Sequence, residues 1–261
     1  MRNFDYLKDI DTLRSLYDYC NAAEINQVCD PEQSAINSRR ALEWITRAIY
    51  RIEGIEIKER TSLFELVDGQ PFRDFVGNDN LLKAVHYIRK VGNASAHTGK
   101  VSKKESFFAL LNIYNFVGAV LLKLGALKSL APFNKNLIPT QATIHVLPPS
   151  RPEPDEQFIK SVDASAIPNE PIQAKAPDIT EAETRKLFID LMLKEAGWDV
   201  LDEDGKIMPG KACVEIEVHG MPNGEEKGYA DYVLFGSNGM PLAVVEAKRT
   251  SVSPTKGKHQ A

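Results

Sequence analysis

Residues 228–250 read GYADYVLFGSNGMPLAVVEAKRT. Two apolar runs, Tyr229–Phe235 and Leu242–Ala247, flank Gly236-Ser-Asn-Gly239, and runs of this kind joined by such a turn predict a β-hairpin. The first run carries one acid, Asp231, and the second is apolar until Glu246-Ala-Lys248. Side chains at i and i+2 share a strand face, so Glu246 and Lys248 point the same way. A hairpin centred near Ser237 and Asn238 sets Asp231 opposite Val244 or Val245, one step from Glu246. Two carboxylates and an ammonium would then converge at one edge of a sheet. A charged pair at the end of an apolar strand is costly to bury without partners or a metal. Phosphodiester hydrolysis gives such a set a purpose. The carboxylates can hold one or two Mg²⁺ ions, the metal lowers the pKa of a bound water, and the lysine is a compact charge beside the nucleophile or the developing phosphorane. The plain alternative is a solvated strand edge with an ion pair.

Outward from the hairpin, Cys213–His219 alternates, with Val214, Ile216 and Val218 opposite Glu215 and Glu217. Before it, Thr180-Glu-Ala-Glu183 has the capping-box pattern and opens a helix through Ala196 that carries Leu187, Phe188, Leu191 and Leu193, with Gly197 as its C-cap. Glu181 and Glu183 either serve that helix end or join the acidic site. Nine of the fifteen prolines fall between Pro132 and Pro177, so residues 131–179 read as an extended interdomain connector, with Ile144–Leu147 a candidate short strand. Residues 1–130 read as helical. Apolar positions recur at three/four spacing from Ala35 to Ile52 behind Pro31, and again from Leu81 to Val91. Leu7–Ile25, rich in Leu, Tyr and Ala, also reads as helical, and Leu63–Val67 suggests a short helix. Ser102-Lys-Lys-Glu105 is a second capping box before Phe107–Leu124, which is apolar on more than one face and predicts a central buried helix stopped by Gly125. Trp44, Phe107, Phe108 and Trp198 read as core.

The 261 residues suggest two domains, and 43% apolar with 26% charged residues is an ordinary globular balance. No run reads as a membrane span or a targeting segment. Three cysteines without a CxxC or Cys/His cluster argue against a disulfide framework and a zinc site of usual spacing, and point to a reducing cytoplasm. The net charge is −4, with +2 on residues 1–130 and −6 on the rest. Neither half is a strongly basic clamp, so any DNA would be met at a local site. The basic tail Lys248, Arg249, Lys256 and Lys258 is either a phosphate-binding strip or a solvated loop.

The order Glu181 (or Glu183), Asp231, Glu246-Ala-Lys248 and Gln260 resembles the PD-(D/E)xK nuclease signature. Over residues 178–261, the runs TEAETRKLFIDLMLKEAGWDV, GYADYVLF, PLAVVEAKRT and KGKHQA resemble the N-terminal nuclease domain of the restriction (motor) subunit of type I restriction–modification enzymes. The resemblance implies an α+β chain, with a helical bundle followed by a mixed sheet flanked by helices. It implies that Asp231, Glu246 and Glu181 bind Mg²⁺ (Mn²⁺ substituting), that Lys248 is catalytic and that Gln260 completes the site. Tyr229-Ala230 stand where the family name has proline. Implied partners are double-stranded DNA and the methylase and specificity subunits. ATP-driven translocation would lie in domains beyond Ala261, since no Walker A sequence occurs, and the nuclease domain reads as truncated at its C-terminal end. Residues 1–130 resemble HEPN-like bundles through Ala41–Trp44 and Ile88–His97. Seven residues separate Arg89 from His97, wider than the four to six of HEPN ribonucleases, which favours a structural cluster in which Gly92-Asn93 breaks the helix. Two other readings stand beside the nuclease: an interaction module with a degenerate nuclease fold, and a HEPN-type ribonuclease.

Overall fold

The computed structural model describes residues 2–98, 101–140, 145–148, 150–173, 189–201, 204–219 and 227–246. The chain divides into two compact units, Met1–Pro177 and Asp178–Ala261, and its architecture is mixed α and β.

The first unit is helical. After two short 3-10 turns come α1 (Arg14–Asn26), α2 (Pro31–Ile52), α3 (Leu63–Asp68), α4 (Gln70–Val76), α5 (Asp79–Thr98) and α6 (Lys103–Lys123). Local signals set the ends. The Asp30 carboxylate accepts from the Gln33 amide with Pro31 in the first turn of α2. Ser62 with Glu65 and Ser102 with Glu105 close capping boxes on α3 and α6. Gly125, at φ 71°, stops the chain after α6. By length and composition α6 could cross a membrane, yet it is mostly buried inside this unit, where Ile113, Phe116, Val117 and Val120 join one continuous core with Phe4, Leu16, Trp44, Ile45, Phe72 and Val85.

Two expectations change here. α5 runs unbroken through Gly92-Asn93. Gly92 is there for space: a Cβ on it would lie 2.4 Å from the Arg39 Cβ and 3.1 Å from the Ala35 carbonyl, so α5 and α2 approach backbone to backbone. The proline-rich stretch read as a connector lies, in its described parts, along the helical unit. Ile138, Phe158 and Ile172 are buried in the helical core, and Glu156–Ser161 forms a helical turn, α7. The described part of Ile144–Leu147 is not a strand; His145 instead exchanges two hydrogen bonds with the Asn26 side chain.

The second unit has α8 (Asp190–Glu195) and four strands, β1 (Asp199–Leu201), β2 (Lys211–His219), β3 (Lys227–Phe235) and β4 (Pro241–Val245), in the order β1-β2-β3-β4. β1 and β2 are parallel; β2–β3 and β3–β4 are antiparallel. Leu193 of α8 packs on one face with Ala212, Val214, Tyr232 and Leu234, while Cys213, Ile216, Ala230, Val233 and Phe235 form a cluster on the other. The alternation expected for β2 therefore fails between Val214 and Ile216, which belong to opposite faces. The break falls at Glu215, the only non-glycine residue at positive φ (51°) among those described, and β3 breaks beside it in the same way, Ala230 lying with Val233 and Phe235 and Tyr232 on the opposite face.

Candidate active site

The hairpin sequence positions the two central carboxylates. β3 and β4 pair with Tyr232 opposite Val245, Val233 opposite Val244 and Leu234 opposite Ala243, while Phe235 lies opposite Pro241. Leu242 is thus an extra residue on β4, a β-bulge, and it moves the register one step beyond the symmetric hairpin. The ladder ends at Tyr232 opposite Val245, so Asp231 and Glu246 are the residues that follow it on the two chains, one register step further than the expected pairing of Asp231 with Val244 or Val245. Both residues are half-buried. The partner of Asp231 on its other side is the Glu215 position, flanked by the Val214–Tyr232 and Ile216–Ala230 pairs. The broken alternation of β2 therefore abuts the strand that carries Asp231, and a backbone held in a sparsely populated region beside two carboxylates is a recurrent feature of functional sites.

α8 is tied to this part of the sheet by a side chain that sequence reasoning missed. The Tyr232 hydroxyl, fully buried, donates to the Asp190 carboxylate. Asp190 opens the described part of α8 and is preceded by Ile189 in helical conformation. The signal was a polar tip at Tyr232, beside the apolar Val233–Phe235, since a buried tyrosine hydroxyl takes a partner. Toward the far end of β2 and β3, Glu217 accepts from Lys227 at 2.8 Å with His219 3.4 Å away. This exposed pair holds the Glu217 carboxyl below its usual range, chiefly through the Lys227 hydrogen bond and charge.

Among the described residues no group of three His, Cys, Asp or Glu side chains is gathered closely enough to hold a metal by itself. Asp231 and Glu246 supply two carboxylates of a possible set. Glu181, Glu183, Lys248 and Gln260, with the basic residues Arg249, Lys256 and Lys258 and the start of the helix expected from residue 180, lie outside the described residues. In the helical unit the Arg89 guanidinium stacks 5.0 Å from the centre of the Phe64 ring. His86, beside the same ring, has its pKa lowered by partial burial and by the Arg89 charge. The His97 side chain is outside the described set. Compared with known proteins, the chain matches no family model, no curated sequence and no solved structure.

Proposed function

We propose that residues 180–261 form a Mg²⁺-dependent DNA endonuclease module of the PD-(D/E)xK kind, serving the restriction subunit of a type I restriction–modification enzyme. The observation that supports this reading is the register of β3 on β4, which sets Tyr232 opposite Val245 and leaves Asp231 and Glu246 as the next residue on each. Two carboxylates on adjacent strands can share a divalent cation. The cation, when bound, acidifies a water and offsets charge on the phosphoryl oxygens. In this chain Asp231, Glu246 and Glu181 would hold it, Lys248 would sit one strand step beyond Glu246 and steady the attacking water, and Gln260 would help orient it. Double-stranded DNA is the substrate, delivered by methylase and specificity subunits and by ATP-driven domains of the longer polypeptide.

Isothermal titration of the whole chain with Mn²⁺ tests this reading. Binding is expected in the parent, and at least tenfold weaker binding in Asp231→Asn and in Glu246→Gln. Titrations indistinguishable among the three would reject the metal site and favour an interaction module on a degenerate nuclease fold.

A further inference from the structure

α2 carries a stripe of Arg40, Trp44, Arg47 and Arg51, spaced i, i+4, i+7 and i+11 and therefore on one helix face. Every member touches the proline-rich stretch. Arg40 donates to the carbonyls of Pro148 and Ser150. Trp44 packs against Phe158 with ring centres 5.6 Å apart. Arg51 pairs with Glu153 at 2.7 Å and Glu156 at 2.9 Å, and Arg47 reaches Glu153 at 3.8 Å. Beyond the stripe, the Asn26 amide gives and takes a hydrogen bond with the His145 backbone. Arg151 donates to the carbonyls of Glu59 and Thr61. At the far end the Ile172 amide donates to the Val76 carbonyl, and Asn78 donates to the Ile172 carbonyl.

This is how an extended peptide is bound. Side chains and backbone of the receptor read the ligand's main chain, and pockets take alternate side chains. Pro152 and Pro154 are buried while Arg151, Glu153 and Asp155 are exposed. After them Phe158 and Ile172 are the anchors, 2% and 5% exposed. Prolines fix the extended form in advance and reduce the entropy lost on docking.

We propose that the helical unit carries a docking groove for an acidic–aromatic peptide, extended around Pro152 and Pro154 and helical over Glu156–Ser161, and that residues 145–172 of this chain are the ligand that fills it. Glu153 and Glu156 match Arg47 and Arg51, and Phe158 closes over Trp44. The strap is a ligand in cis, separable from the bundle it covers.

The test uses the whole chain with Trp198→Phe, which leaves Trp44 as its only indole, and a synthetic peptide with the sequence of residues 145–172. With Phe158→Asp added, the chain is expected to keep its far-ultraviolet helical signal and to shift Trp44 emission to the red. It should then bind the peptide in trans with recovery of blue emission, at least threefold more weakly in 0.5 M than in 0.05 M NaCl. The chain with an intact strap should bind at least tenfold more weakly, because its groove is full. The proposal falls if the folded variant ignores the peptide. It falls equally if the intact chain binds as well as the variant, or if a peptide with Glu153, Glu156 and Phe158 replaced by alanine binds as well. If Phe158→Asp does not fold, native-state hydrogen exchange on the unsubstituted chain decides. Opening of α7 at lower free energy than α2 supports a separable ligand, and opening of both only together overturns it.

Discussion

The two units differ in how they bury side chains. In the helical unit some interior polar groups meet backbone: the Asn3 amide both donates to and accepts from Asn134, Ser95 donates to the Glu32 carbonyl, and Tyr50 to the Leu66 carbonyl, whereas Asn37, Thr46 and Asn112 carry buried polar atoms with no hydrogen-bond partner. Around them lies one large apolar core. In the β unit the described core is two five-residue clusters on either side of a thin sheet, and β4 leaves Leu242 and Val244 more than half exposed. Asp231 lies in the middle of β3 and Glu246 directly follows β4, both half-buried.

The sharpest way to break this contrast is to remove the charges. On the nuclease reading proposed above, Asp231→Ala, Glu246→Ala and Lys248→Ala should each cut Mg²⁺-dependent DNA cleavage by about a thousandfold or more, the scale of a lost metal ligand or charge-stabilising group. Circular dichroism and urea midpoint should stay near those of the parent. Undiminished cleavage by all three would leave the nuclease reading without support.

Removing apolar bulk should do the reverse, and unequally. Phe72→Ala, fully buried in the helical core, should cost about 3–5 kcal/mol of stability, and Leu234→Ala, a smaller and slightly exposed side chain on the sheet, about 2 kcal/mol. Urea unfolding followed separately by Trp44 and Trp198 measures both. Equal costs would mean that the sheet is covered as thoroughly as the bundle. Gly92→Ala should destabilise the helical unit by about 1–3 kcal/mol, the range for overpacking, since its methyl meets Arg39 and the Ala35 carbonyl. A neutral or stabilising result would show that α2 and α5 can separate without loss.

The smallest effect concerns Glu24. Burial raises its pKa above the usual carboxylate range, and the Asn3 hydrogen bonds at 3.1 and 2.7 Å only partly offset this. A folded pKa above the unfolded value means that the stability gained is complete below the unfolded pKa and is lost as pH rises through the folded one. Glu24→Gln should therefore gain in melting temperature on the parent between pH 4 and pH 7, and a difference that shrinks over that interval would contradict the assignment.

How much of this was legible in the sequence divides along the same line. Helices announced themselves because caps and apolar spacing are local: Asp30-Pro31, Ser102 with Glu105, and Gly125 act within a few residues. What stayed hidden depends on distant atoms. Gly92 looks like a helix breaker until α2 is beside it. The prolines after Pro132 look like a free connector until the stripe on α2 is found beneath them. The register that sets Tyr232 opposite Val245 depends on one bulged residue, Leu242, and the broken alternation of β2 falls at the positive φ of Glu215. Neither is encoded in alternation alone.

The central claim, that Asp231 and Glu246 share a divalent cation, is tested most directly by anomalous diffraction from crystals of the whole chain soaked in Mn²⁺. The account predicts a single strong peak bridging the two carboxylates at about 2.0–2.4 Å from an oxygen of each, the spacing of hard cations on carboxylate ligands. A map with no peak there, or one with the two side chains turned to opposite faces of the sheet, would contradict it.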